Sequence, residues 1–179
     1  LDISTCEQPK PKGTGDAVMC GIDEVKSESK VLVLYGDVPL IQKETLINLI
    51  DSCEDGLSIL TTVLNEPYGY GRVKKDENGN ALSIVEERDA TQDEKEIKEI
   101  FTGVLCANAE DLKKGLSEIG NDNAAGEFYL TDIVSIMANK GIKINTHVAS
   151  NNEVKGANSK EELAQLEAIY RSMKVKDIL

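Results

Sequence analysis

Short apolar runs alternate with amphipathic stretches along the chain. Val31-Leu32-Val33-Leu34 has no polar break, which predicts a strand covered on both faces, as in a parallel sheet layered by helices. Residues 57–64 and 101–107 have similar strand composition. Between these runs, Val18, Ile22 and Val25 recur at helical spacing, as do Leu46, Leu49, Ile50 and Cys53 in a helix over about 43–53. Further helices are expected over about 110–119 and up to Lys140, with Gly141 as the C′ residue. Ser159-Lys160-Glu161-Glu162 fits a capping box for a last helix that turns Leu163, Leu166 and Ile169 or Tyr170 inward. Asn78-Gly79 ahead of residues 81–85 predicts a hairpin, and residues 142–148 alternate as a peripheral strand. The opening order of strand, helix, strand, helix, strand implies parallel strands with right-handed crossovers. Leu1, Ile3 and Thr5 alternate like the end of a further strand.

Composition narrows the picture. The chain has 179 residues, enough for one domain over 1–179 with a substantial core. Its formal net charge of −12, from 32 acidic and 20 basic residues, argues against a nucleic-acid or anionic-membrane partner. No apolar run approaches the ~20 residues that span a bilayer. The first residues lack the basic and apolar regions of a secretory leader, so a cytoplasmic location is expected. Cys6, Cys20, Cys53 and Cys106 have no metal-knuckle spacing and are read as reduced and structural. His147 has no evident catalytic partner and is read as packed or on the surface.

Candidate chemistry sits where strands end. Tyr35-Gly36-Asp37 follows the first apolar run, and a carboxylate there occupies the usual ligand position of an open α/β sheet. Gly36 lets a ligand approach the backbone, and Pro39 fixes the turn leading away. An equally available reading of Asp37 is a cap for that turn. Gly13-Thr14-Gly15 opens a helix and can offer N–H groups to an anion or a base edge, although many loops hold two glycines for conformational reasons. Thr14 or Asp16 is positioned to cap that helix. Glu86 closes the second strand of the hairpin, whereas residues 87–99 read as a solvated loop and short helix.

Taken in order, these loops resemble the sugar-nucleotide pyrophosphorylases, above all the uridylyltransferase domain of bacterial N-acetylglucosamine-1-phosphate uridylyltransferases. The matching pieces are Gln8 with Gly13-Thr14-Gly15, residues 34–40, Gly69-Tyr70-Gly71-Arg72, Ile84-Val85-Glu86 with Asp89-Ala90, Glu99-Ile100 with Thr102-Gly103, Gly126-Glu127 with residues 129–132, and Glu153-Val154 with Gly156 and Asn158. The resemblance implies an α/β fold, a Rossmann-like mixed and mostly parallel sheet flanked by helices. It implies uridylyl transfer from UTP to a sugar-1-phosphate, giving a UDP-sugar and pyrophosphate. Gln8 and the Gly13-Thr14 backbone would read uracil, and Tyr35-Gly36 would floor the ribose and sugar. Gly71 and Glu86 would contact the hexosamine. Asp37 would be the catalytic carboxylate and, with Asn158, would ligate Mg²⁺, an ion that takes hard oxygens and leaves positions for phosphates and water.

Two departures qualify the resemblance. The family's Gly-Thr-Arg-Met loop and its following Pro-Lys have no counterpart here, so an N-terminally truncated domain with little turnover of its own is expected. The acetyltransferase domain of bifunctional members is likewise absent from the sequence. Phe101 stands where those enzymes carry a sugar-contacting asparagine, and losing such polar contacts costs ~1–3 kcal/mol each when partners are left unpaired. The alternatives are therefore a pyrophosphorylase for another hexose-1-phosphate, or a non-catalytic nucleotide-sugar-binding or structural fragment. A missing edge strand would favour a homo-oligomer. A dinucleotide-binding dehydrogenase is disfavoured, since no Gly-x-Gly-x-x-Gly follows a strand.

Overall fold

The computed structural model describes residues 3–176. Six strands form one mixed sheet: β1 (Lys30–Val33), β2 (Gly56–Val63), β3 (Arg72–Lys75), β4 (Ala81–Val85), β5 (Glu99–Asn108) and β6 (Lys143–Val148). The helices are α1 (Thr14–Ile22), α2 (Lys43–Ser52), α3 (Gln92–Lys95), α4 (Ala109–Leu116), α5 (Asp132–Asn139) and α6 (Lys160–Lys176). The main path of the sheet runs β4-β3-β5-β2-β6, with β1 also paired to β5.

The expected α/β architecture with a mixed sheet is present, and its ladders differ in one respect from the simple parallel order. β1, β2, β3 and β6 point one way, β4 and β5 the other, and only β2–β6 is a parallel ladder. The reason is β5, which inserts antiparallel between β2 on one edge and β1 and β3 on the other. β2 and β5 are the strands whose apolar runs are buried on both faces. β1 is not, and this corrects the expectation for Val31-Leu32-Val33-Leu34. Among the described residues it has a neighbour on one edge only, Val31, Leu32 and Val33 are half-buried, and Leu34 is 48 % exposed. The alternation of Leu1, Ile3 and Thr5 does not continue as a strand in the described residues, and Leu1 lies outside them.

Alternation in β5 separates two core layers. Phe101, Leu105 and Ala107 pack with Leu57 and Ile59 against α1, α4 and α5. Val104 and Cys106 pack with Leu60 against Leu49 and Cys53 of the α2 region. Cys53 and Cys106 are fully buried thiols with sulfurs 3.1 Å apart, and burial pushes Cys106 up to about 12.

Local signals fall where expected at several ends. The Asn78-Gly79 turn joins β3 to β4, with Gly79 at φ 84°. Gly141, at φ 75°, ends α5 as its N–H donates to Ala138 O at 2.9 Å. His147 is packed, with Nε2 2.6 Å from Ser52 Oγ. Other ends differ. Neither Thr14 nor Asp16 caps α1, because Thr14 Oγ1 accepts from Leu130 N and Asp16 accepts from Gln8. At α6, Ser159 Oγ accepts from Glu162 N, but the Glu162 carboxylate reaches past Ser159 to Asn158 N at 2.7 Å. Leu163, expected inward, is 56 % exposed, and Tyr170 is also exposed, while Leu166 faces the core.

Candidate functional site

The sheet contains a notch. β1 pairs with residues 105–108 of β5, and β3 with Ile100, where Phe101 N also donates to Gly71 O at 2.9 Å, so among the described residues 102–104 lack a ladder partner on that edge. On the other edge the β2–β5 register shifts between Ile59 and Thr61. Gly103 sits in this bulge at φ 88°, and the Tyr35 ring lies directly over it. Strands diverge at this point, which opens a crevice of the kind where α/β sheets bind ligands. A cavity of about 380 Å³ occupies it.

Each wall comes from a different connection. Thr14, Tyr35, Asp37 and Val38 line one side, and Gly69, Tyr70 and Gly71 another. Phe101, Thr102 and Gly103 form the floor, while Glu86, Glu127, Tyr129 and Thr131 stand beyond it. Val154, Gly156 and Asn158, from the loop before α6, complete the rim. That loop is tied to the β1 loop, since Ala157 N donates to Asp37 O at 2.9 Å.

Six of the residues singled out in the sequence therefore share one cavity: Thr14, Tyr35, Asp37, Gly71, Glu86 and Asn158. Gln8, Gly13 and Gly36 are not among its lining residues. Gln8 spends its amide N–H groups inside its own loop, on Gly13 O at 3.2 Å and Asp16 Oδ2 at 2.7 Å. Gly13 is glycine because the 126–130 segment crosses it: at φ 114°, a Cβ would meet Phe128 O at 2.4 Å. Gly15 N donates to Phe128 O at 2.8 Å, so that N–H is not offered to an anion. These contacts brace Thr14. Gly36 lines an adjoining hollow with Asp37 and Asn158, and among the described residues nothing beyond its chain neighbours lies within 4 Å of a Cβ there. The chain's own packing thus leaves that side open.

Electrostatics separate the two carboxylates. Asp37 is exposed on the rim, with Gly156 beside it: a Cβ there would come 3.6 Å from Asp37 Oδ2. Glu86 lies deeper, and burial holds its carboxyl above the ordinary range. Thr131 opposes this by donating to Oε1 at 2.9 Å, while Asp132 and Asp89 reinforce it. Burial also raises the Asp132 carboxyl and the phenols of Tyr35 and Tyr129. An environment that discourages charge on Glu86 suits a group that exchanges hydrogen bonds with neutral hydroxyls. Phe101 is 5 % exposed, its ring shared between the core and the cavity floor.

The rim also tests for a metal. Asp37 and Asn158 offer one carboxylate and one amide oxygen, both hard donors, and no group of three His, Cys, Asp or Glu side chains suited to a metal occurs among the described residues. Two protein oxygens fit an ion that completes its shell with phosphate and water, as Mg²⁺ does, and do not fit Zn²⁺ held by protein alone.

Thr131, Tyr129, Tyr70 and Gly156 were part of the quoted loops but had no role assigned from the sequence. Their participation depends on where separate loops meet. Among the described residues, no helix is long and apolar enough to cross a membrane.

Comparison with known proteins accords with this geometry. A sequence of Methylococcus capsulatus, the bifunctional protein GlmU, is 46 % identical over 173 residues, covering 96 % of this chain and 38 % of the relative. The protein of the same name from Idiomarina loihiensis is 42 % identical over 180 residues, covering 99 % of this chain and 40 % of the relative. The chain thus spans about two-fifths of the length of these relatives. A solved Bacillus anthracis protein assigned as a glucose-1-phosphate thymidylyltransferase, in complex with sucrose, superposes with a TM-score of 0.62. It is 17 % identical, over 87 % of this chain and 59 % of that one, and so shares the fold. The nucleotidyl transferase family model matches residues 1–152, and on this match the chain belongs to the nucleotidyl transferase family.

Proposed function

We propose that this chain forms the nucleotide-sugar end of a sugar-1-phosphate uridylyltransferase, with N-acetylglucosamine-1-phosphate as the sugar substrate. The observation that carries the reading is the meeting of Asp37 and Asn158 with Glu86 and Gly71 in one cavity at the notch of the sheet. In the reaction, an oxygen of the sugar-1-phosphate forms a bond to the α-phosphorus of UTP, and the bond from that phosphorus to the pyrophosphate oxygen breaks.

The residues divide the work by position. Asp37 and Asn158 would hold Mg²⁺, which would supply charge neutralisation at the phosphates. Thr14, braced by Gln8 and Gly13, would stand at the uracil end. Tyr35, fixed over Gly103, would floor the ribose. Glu86 and Thr131 would accept and share hydrogen bonds with sugar hydroxyls, and Gly71 leaves room for the ring. Phe101 favours a second reading within the class, another hexose-1-phosphate, because its ring offers the sugar an apolar surface in place of an amide.

Calorimetric titration with UDP-N-acetylglucosamine, UDP-glucose and UDP in the presence of Mg²⁺ tests this. Tightest binding of the acetylated sugar supports both the site and the sugar. Equal binding of all three retains the uridine site and removes the sugar assignment. Absence of binding to any of them removes the reading for this chain.

A further inference from the structure

The cavity wall formed by residues 69–71 is held by an ion pair between a buried arginine and a half-buried glutamate. Arg72, the first residue of β3, has 2 % of its side chain exposed, and its Nη2 donates to Glu87 Oε2 at 2.6 Å. The same Glu87 oxygen accepts from Gly69 N at 3.2 Å. Arg72 Nη1 donates to Tyr70 O. The pair therefore grips the wall twice, once by an N–H and once by a carbonyl. Lys95 Nζ, 3.9 Å from Glu87 Oε1, closes the outer side.

The chain turns directly after β4, where Asp89 N and Ala90 N donate to Glu86 O, so that Glu86 lines the cavity while Glu87 reaches Arg72 and Gly69 N. In front, the wall and Glu86 nearly touch: a Cβ on Gly71 would come 3.5 Å from Glu86 Oε1. A guanidinium is suited to the task because its planar fork serves acceptors in two directions at once, which an ammonium does not. Arg72 is buried at a cost, with its Nε lacking a partner among the described residues.

We propose that Arg72 and Glu87 are positioning residues. They set the distance between the 69–71 wall and Glu86, and with it the preference of the cavity for the sugar part of a nucleotide sugar. This proposal rests on the function proposed above.

The test uses Arg72→Lys and Glu87→Gln, each titrated with UDP-N-acetylglucosamine and with UDP, with amide hydrogen exchange recorded without ligand. Arg72→Lys keeps the charge but loses the fork. It is expected to weaken the nucleotide sugar about tenfold, to leave UDP within about twofold, and to speed exchange at Gly69–Gly71 about tenfold while β4 amides hold. Glu87→Gln shifts the same readings in the same direction by less, and it decides the matter if Arg72→Lys does not fold. Equal losses for both ligands, or unchanged exchange at residues 69–71, overturn the proposal. If the unmodified chain binds neither ligand, the proposed function falls. The exchange measurement then decides whether the pair positions the wall.

Discussion

The Tyr35 ring packs so closely over Gly103 that a Cβ at that glycine would lie 2.4 Å from ring atom Cε2. Gly103 also has φ 88°, a conformation that side chains resist. The bulge in β5 and the tyrosine after β1 therefore specify each other.

Gly103→Ala tests this relationship. The conformational penalty and the displaced ring together are expected to cost ~1–3 kcal/mol in urea unfolding. Combining it with Tyr35→Ala removes the clash, so the double variant should lose less than the sum of the singles. Strict additivity would show that the ring and the glycine do not depend on each other.

Glu86→Gln addresses the buried carboxyl. The native state holds this proton to higher pH than the unfolded chain, whose ordinary value is 4.5. Between that value and the raised one the native state binds more protons. Stability contributed by Glu86 is full below the window and is lost as pH rises through it. Glutamine has no proton to lose. The unfolding midpoint of the variant relative to wild type should therefore climb as pH is raised from ~4 to ~8. A pH-independent difference would show that the carboxyl is not held in its neutral form. Thr131 can still donate to the amide oxygen, so its hydrogen bond is preserved.

Asp37→Asn separates binding from folding. Asp37 is exposed, so its replacement should change stability by no more than ~0.5 kcal/mol. Nucleotide-sugar affinity should lose its Mg²⁺ dependence while affinity in a chelator is kept. Retention of the full Mg²⁺ effect would return Asp37 to the role of a turn cap.

Ser159→Ala probes the cap that anchors the second rim residue. Ser159 Oγ accepts from Glu162 N, and Glu162 in turn holds Asn158 N. Loss of the hydroxyl should destabilise the first turn of α6 by ~0.5–2 kcal/mol, read as faster amide exchange at 160–163. Unchanged exchange there would mean that the Glu162–Asn158 contact alone holds the turn.

Much of the architecture was legible because local chemistry governed it. Asn78-Gly79 encodes a hairpin turn, and the apolar runs of β2 and β5 are buried on both faces as their composition implies. The run in β1 has the same composition, yet burial depends on having strands on both edges, which composition does not record. Asp37, Glu86 and Asn158 stood out as candidates because each follows an element or lies in a loop of the resemblance, and the structure brings them to one cavity. Arg72 closes one of the recognisable loops, Gly69-Tyr70-Gly71-Arg72, but had no role assigned from the sequence. A basic residue opening a strand usually reads as solvated, and only the folded loop shows it enclosed by Tyr70 O and Glu87. Gln8 was legible as a polar loop residue, but its use of Asp16 as a partner depends on how α1 begins.

The parallel ladder between β2 and β6 joins segments far apart in the chain, and the rim loop with Asn158 hangs from the end of β6. During synthesis, Tyr35, Glu86 and Phe101 emerge long before this ladder can close. Ladders of that range form slowly, because the loop entropy is lost before the contacts are gained. A chain interrupted ahead of β6 would hold the floor of the cavity and lack the 154–158 rim beside Asp37. Closure of the cavity thus arrives with the last strand, whichever part of the sheet folds first.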